Sequence, residues 1–245
     1  MIDLLLSWPG LVSALVLVAA GAIQGSTGFG FNMLAAPVLA IMIPSFVPGA
    51  MITLAMVVSI GGALVEHSDI HRRDLLAALS GRLVAVMAAA LVLGMLAPEA
   101  FAAIFGLGVL LAVGLSLSGW HVRPSARNLF IAGATSGFMG TLTSIGAPPM
   151  ALVYQNTGGA RMRATLNAFF VLGSLMSVGA LIWAGRYGLR DLALAATMLP
   201  FAFLGFLFSG WGRRMMDKGQ VRLVILTVST LSAIVLLARA FGFTG

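Results

Sequence analysis

Ala20-Gly21-Ala22-Ile23-Gln24-Gly25-Ser26-Thr27-Gly28 returns in the second half of the chain as Ala132-Gly133-Ala134-Thr135-Ser136-Gly137-Phe138-Met139-Gly140. The same ungapped register carries Asn32 onto Ser144, Ala35 onto Ala147, Pro37 onto Pro149 and Thr53 onto Thr165. Its anchors are glycine and proline, the residues that punctuate helices. The chain therefore reads as two copies of one unit, with residues 1–122 as a first repeat and 123–245 as a second.

What surrounds the repeated motif is apolar. Of 245 residues 60% are hydrophobic and 9% charged, against about 25% charged in a soluble domain. Runs of about 20 apolar residues, enough for the ~30 Å hydrocarbon core, are expected to span as helices at Leu4–Ile23, Phe46–Val65, Leu75–Ala97, Ala100–Trp120, Ala164–Gly185, Leu192–Trp211 and Val221–Ala238. Phe29–Ile43, Ser125–Met139 and Leu142–Asn156 are shorter, roughly 22 Å of helix at 1.5 Å per residue.

The charges suggest how the short pieces cross. If all ten segments cross, one side receives Arg72, Arg73, Arg123, Arg127, Arg161, Arg163, Arg213, Arg214, Lys218 and Arg222, and the other only Arg186, Arg190 and Arg239. Basic residues concentrate on the cytoplasmic side of a membrane protein, so the reading is ten crossings with both termini outside. Were Phe29–Ile43 and Leu142–Asn156 re-entrant, the same residues would divide almost evenly. Trp8, Trp120, Trp183 and Trp211 fall at expected helix ends, where interfacial aromatics belong. Met1 to Trp8 holds Asp3 and no basic residue, so the first run is expected to stay as a membrane helix rather than act as a cleaved signal.

Five segments per half is odd, so the second half enters the membrane upside down. The fold expected is an all-α, polytopic membrane helical bundle: about ten transmembrane segments in two inverted five-segment repeats, with Gly/Pro-interrupted short helices. Such inverted repeats characterise secondary transporters. A plasma (inner) membrane location and a lipid bilayer as the surrounding partner follow.

The interrupted segments are where chemistry is expected. Gln24-Gly25-Ser26-Thr27-Gly28-Phe29-Gly30 leads to Asn32 and Pro37; Ser136-Gly137 through Gly140-Thr141 leads to Thr143, Ser144, Pro148 and Pro149. Freed backbone groups survive at membrane depth only inside protein or along a wet cavity, and helix N-termini attract anions. Two breaks from opposite faces would bring both N-termini to one midplane site. The expected substrate-binding residues are Gln24, Ser26, Thr27, Gly28, Asn32, Gly140, Thr141, Thr143 and Ser144. Asn167 is a polar lining residue one turn into its helix, and Arg163 could steer the anion. Gly21-xxx-Gly25 and Gly133-xxx-Gly137 are also ordinary packing motifs. Arg82, inside a helix, is a functional candidate by default, although its stem could snorkel to the interface, the reading favoured from sequence.

Other function classes fare poorly. The net charge of +7 forms no basic stripe, which argues against nucleic acid. The chain has no cysteine, so disulfides and thiolate metal sites are excluded. No nucleophile elbow, H-E-x-x-H or P-loop is present; no enzyme, cofactor or metal is expected. Glu66, His67, Asp69, His71, Arg72, Arg73 and Asp74 cluster in one cytoplasmic loop, expected to be a solvated surface; a coupling proton through His67, His71 or Glu66 is a weaker reading.

Gly25-x-x-Gly28-Phe29-Gly30 with Pro37, Gly137-x-x-Gly140 leading to Ile145-Gly146-Ala147-Pro148-Pro149, and Arg161-x-Arg163-Ala164-Thr165 together resemble the TauE/SafE family of sulfite and organosulfonate transporters. The resemblance covers essentially the whole chain. It implies a carrier for sulfite, sulfoacetate, thiosulfate or a related small anion, with both motifs lining the path. Where the family often has Gly-Gly-Pro, this chain has Gly146-Ala147-Pro148. The alternatives are a passive anion channel and a non-transporting scaffold subunit. Gly-rich helix faces are equally compatible with a homodimer.

Overall fold

The computed structural model describes residues 5–96, 98–118, 122–154, 159–209 and 220–240. They form helices α1 (Trp8–Thr27), α2 (Phe31–Met42), α3 (Gly49–Val65), α4 (Arg72–Met95), α5 (Pro98–Leu117), α6 (Ala126–Thr143), α7 (Ala147–Tyr154), α8 (Ala160–Trp183), α9 (Leu189–Leu207) and α10 (Gln220–Ala240). No strand occurs among the described residues. Each expected apolar segment corresponds to one helix.

Four of them, α1, α4, α8 and α9, are long and apolar enough to cross a membrane. Leu83, Val84, Met87 and Leu91 on α4, and Leu172, Leu175 and Ile182 on α8, face outward. Water would penalise such faces; lipid does not. The chain is a multi-pass membrane bundle. Trp8 and Trp183 sit exposed at helix ends, whereas Trp120 and Trp211 lie outside the described residues, as do Arg213, Arg214 and Lys218.

Two short segments differ from expectation. α2 has 12 residues and α7 has 8, about 18 and 12 Å of helix. Neither reaches across the hydrocarbon by itself. Leu142 and Thr143, assigned from sequence to the short segment, instead finish α6.

Packing follows the glycines. α4 lies against α6 and α1 against α9, and these two pairings are the most extensive, followed by α3 against α8 and α5 against α10. A Cβ on Gly133 or Gly81 would strike the backbone of the facing α4 or α6, and a Cβ on Gly21 or Gly205 that of α9 or α1. Small residues let helix backbones approach where hydrophobicity cannot drive association. The Gly133 and Gly21 motifs therefore serve packing, as their second reading allowed.

Pro37 sits inside α2 and leaves the carbonyl of Met33 without its helical donor. Ser229 of α10 supplies one: its hydroxyl donates to that carbonyl at 2.6 Å. A lone serine thus couples α10 to the proline-bearing helix.

Candidate functional site

The first interruption follows α1. Gly28 adopts a left-handed conformation (φ 80°), and its N–H closes the helix onto the Gln24 carbonyl at 2.7 Å. A Cβ there would also meet the Arg163 backbone. The Thr27 hydroxyl oxygen accepts the Phe29 N–H at 3.1 Å while its hydroxyl reaches the Ile23 carbonyl at 2.9 Å. α2 then starts after Gly30, also left-handed. Its first N–H, from Phe31, donates to Gln24 Oε1 at 3.3 Å.

The second interruption uses the same device. Thr143 donates to the Met139 carbonyl at 2.8 Å and accepts the Ile145 N–H at 3.2 Å. Ser144 is left-handed (φ 60°), and it alone among non-glycine residues described has positive φ. Such a residue carries about 1–3 kcal/mol of strain, tolerated where surroundings over-determine it. Its carbonyl is held by Asn32, whose Nδ2 donates to it at 2.7 Å. The tip of one interruption therefore touches the tip of the other.

Two corrections to the sequence reading follow. The unwound residues are 28–30 and 144–146, while Gln24–Thr27 and Ser136–Thr143 remain helical. Gly28 thus corresponds to Ser144, one helical turn beyond the Gly28–Gly140 register read from sequence. Backbone stays helical in lipid wherever it can, because each freed group needs a partner. The two helix starts also differ. α7 opens with Pro148 and Pro149, which have no N–H to offer; α2 has no proline in its first turn and no side-chain cap from Gly30, its Phe31 N–H being met by Gln24.

Between the tips lies a cavity of about 40 Å³. One enclosed water needs ~10–15 Å³ on this measure, so the space suits a few waters or one small oxyanion. Gln24, Asn32, Ser59, Arg82, Ser144 and Ser174 form its polar lining; Phe31, Met33, Ile52 and Phe170 form an apolar side.

Arg82 decides the electrostatics. It is 3% exposed, so it does not snorkel. Nη1 donates to the Ser136 hydroxyl at 3.2 Å and Nη2 to the Ser177 hydroxyl at 3.1 Å. The guanidinium lies 5.1 Å from the centre of the Phe169 ring. Its Nε–H has no partner, and neither has Asn32 Oδ1. Ser136 also donates to the Gly146 carbonyl at 2.5 Å, which ties the arginine to the second interruption. Gly137 and Gly173 flank the side chain so closely that a Cβ on either would overlap it. The helices admit Arg82 inward because two glycines leave it room.

No acid answers this charge among the described residues. Their ion pairs lie at the end of the bundle where α4 and α8 begin: Asp74 with His71 and Arg161, and Glu66 with Arg163. Arg163 Nε meets Glu66 Oε1 at 2.9 Å and Oε2 at 3.1 Å. Within residues 66–74, His67, Asp69, Arg72 and Arg73 are exposed as expected, whereas Glu66 and Asp74 are drawn into a half-buried latch, their side chains 16% and 13% exposed. At the opposite end Thr53 Oγ1 of α3 lies 2.7 Å from Tyr187 Oη in the turn after α8, and Arg186 Nη2 of the same turn donates to the Gly94 carbonyl of α4 at 2.9 Å.

Of the residues named from sequence, Gln24, Asn32, Arg82, Gly140 and Ser144 line the cavity. The others hold its walls. Ser26 donates to the Ala22 and Ser209 carbonyls, Thr141 pairs with Ser177 at 2.9 Å, and Thr27 and Thr143 cap the interruptions. Gly28 makes the first turn, Asn167 accepts from Gln24 Nε2 at 3.1 Å, and Arg163 is engaged by Glu66. Ser59, Ser136, Ser174 and Ser177 were missed. Ser174 and Ser177 stand one turn apart on α8, the only trace they leave in the sequence. Among the described residues no group of His, Asp and Glu could hold a metal ion.

A family model described as Sulfite exporter TauE/SafE matches residues 13–236. The chain belongs to the TauE/SafE family. Both interruptions, Arg82 and every cavity-lining residue fall within the matched part of this TauE/SafE protein, and the family makes it a membrane transport protein of the sulfite-exporter type. No curated protein and no solved structure matches the chain.

Proposed function

We propose that this TauE/SafE protein is a secondary carrier that moves a small anion, sulfite or an organosulfonate such as sulfoacetate, across the inner membrane by alternating access. The observation that carries the reading is Arg82: a buried cation without an acidic partner, with an unpaired Nε–H, on a cavity where two helix interruptions meet. A desolvated charge is costly unless paired. An anion entering the cavity supplies the missing partner, and Asn32, Ser59, Ser174 and the α2 N-terminus supply further donors.

The carrier mechanism rests on two inverted repeats, α1–α5 and α6–α10. The pairing of α1 with α9 has its counterpart, five helices on, in α6 with α4, and α3–α8 and α5–α10 map onto themselves. The Thr27 and Thr143 caps repeat within it. Rocking one repeat against the other about a fixed midplane site would expose the cavity to each face in turn. The ionic latch at Glu66–Arg163 and Asp74–Arg161 would close the face carrying most of the basic loops, which the charge bias makes cytoplasmic, with both termini outside.

Counterflow in proteoliposomes tests this. Vesicles preloaded with unlabelled sulfite are expected to accumulate labelled sulfite transiently above equilibrium. Uptake that never exceeds equilibrium would identify a passive channel instead, and no uptake a non-transporting subunit.

A further inference from the structure

We propose, building on the carrier reading, that the cavity selects by charge: it accepts anions bearing one negative charge and rejects those bearing two. Among the described residues, Arg82 is the one ionisable side chain on the cavity lining. The acids whose side chains are described, Glu66, Asp69, Asp74 and Asp191, belong to the loop before α4, the first turn of α4 or the start of α9. The site thus carries a single formal positive charge.

The helix interruptions do not add a second. Each sets a helix C-terminus beside a helix N-terminus, α1 beside α2 and α6 beside α7. The opposed partial charges of the two ends largely cancel at a distance. They orient a ligand rather than raise the charge it meets. On the α7 side Pro148 and Pro149 remove two of the N–H donors that would stabilise extra negative charge. Among the described lining residues the one buried acceptor without a donor is Asn32 Oδ1, which repels a fully ionised oxyanion and welcomes a ligand O–H.

A monoanion would make the cavity neutral. A dianion would leave one uncompensated buried negative charge, with Phe31, Met33, Ile52 and Phe170 closing the other side. That is the situation in which buried charges are strongly destabilising. A ligand with one weakly acidic group beside a first negative charge, as in sulfite or in sulfoacetate with its carboxylate, would therefore enter singly protonated, its own proton meeting Asn32 Oδ1. The proton travels on the substrate, so no carboxylate relay inside the bundle is required.

The test uses two tetrahedral sulfur anions of similar size, methanesulfonate with one charge and sulfate with two, in proteoliposomes holding the full chain. Methanesulfonate is expected to enter saturably and with an efficiency on the order of a hundredfold above sulfate. Sulfite uptake is expected to fall as external pH rises through the anion's second ionisation, while methanesulfonate uptake stays flat. Arg82→Met, which keeps length and loses charge, is expected to lose uptake of both while remaining monodisperse. Equal entry of sulfate and methanesulfonate would overturn the charge selectivity and leave the carrier standing. Unchanged discrimination in Arg82→Met would overturn the assignment to Arg82. If neither anion enters nor raises the melting temperature, the carrier reading fails and the proposal with it.

Discussion

An arginine buried in a helical bundle costs a few kcal/mol even by the mildest scale, so its surroundings reveal what it is for. Arg82 spends two of its nitrogens on serines from different helices, Ser136 on α6 and Ser177 on α8, and leaves its Nε–H without a partner. Lysine offers one compact ammonium and cannot span both serines with a planar fork. Arg82→Lys is accordingly expected to reduce sulfite uptake at least about tenfold, with circular dichroism unchanged; uptake within twofold of the parent protein, on the order of measurement scatter, would contradict the role given to the fork. From sequence, Arg82 stood out as a charge within an apolar run, but the direction of its side chain did not. Whether an arginine snorkels depends on which face its helix turns inward, and that is settled by Gly137 and Gly173 on other helices. Ser174 and Ser177 were illegible for a similar reason, since serine is common in membrane helices and only the position of Arg82 gives these two a task.

At the scale of elements, the interruptions were readable and their register was not. Glycine serves both close packing and left-handed turns. Gly133 and Gly137 take the first use, Gly28 the second, while the second turn falls on a serine. Composition alone cannot separate these uses. The prolines were more informative: Pro37 implied an orphaned carbonyl, and the structure names its donor as Ser229. Ser229→Ala leaves the Met33 carbonyl buried and unmet, a loss of about 1–3 kcal/mol. A lowered melting temperature is expected, with anion affinity weakened as α2 shifts. An unchanged melting temperature would show that the carbonyl finds another donor. Ser144→Gly should go the other way, relieving the left-handed strain of about 1–3 kcal/mol less the entropy glycine costs, and Ser144→Val should destabilise; the two melting temperatures on either side of the parent value check it.

At the scale of the molecule, the two ends of the bundle are closed differently. One is pinned by Glu66–Arg163 and Asp74–Arg161, the other, among the described residues, by hydrogen bonds without an ion pair, Thr53 with Tyr187 and Arg186 with the Gly94 carbonyl. Removing one ion pair should bias the carrier toward opening at the ionic end by roughly fivefold. The absence of cysteine makes this measurable: a single Ser174→Cys reporter on the cavity should react faster with a membrane-impermeant maleimide from the ionic side once Glu66→Gln is added. A labelling rate unaffected by Glu66→Gln would mean that the pair is structural. The membrane bundle itself was legible from hydropathy, and the pairing of α1 with α9 and of α4 with α6 was foreshadowed only by their glycines.

Transport by this protein, as proposed, requires an anion to bind at Arg82. The direct measurement is the melting temperature of the detergent-solubilised protein titrated with sulfite and sulfoacetate, for the parent chain and for Arg82→Gln. A ligand bound to the folded state at a hundred times its Kd adds about 2.7 kcal/mol of stability, so the parent protein should show a saturable rise and Arg82→Gln none. An equal rise in both, or no rise in the parent protein with any of these anions, would contradict the claim.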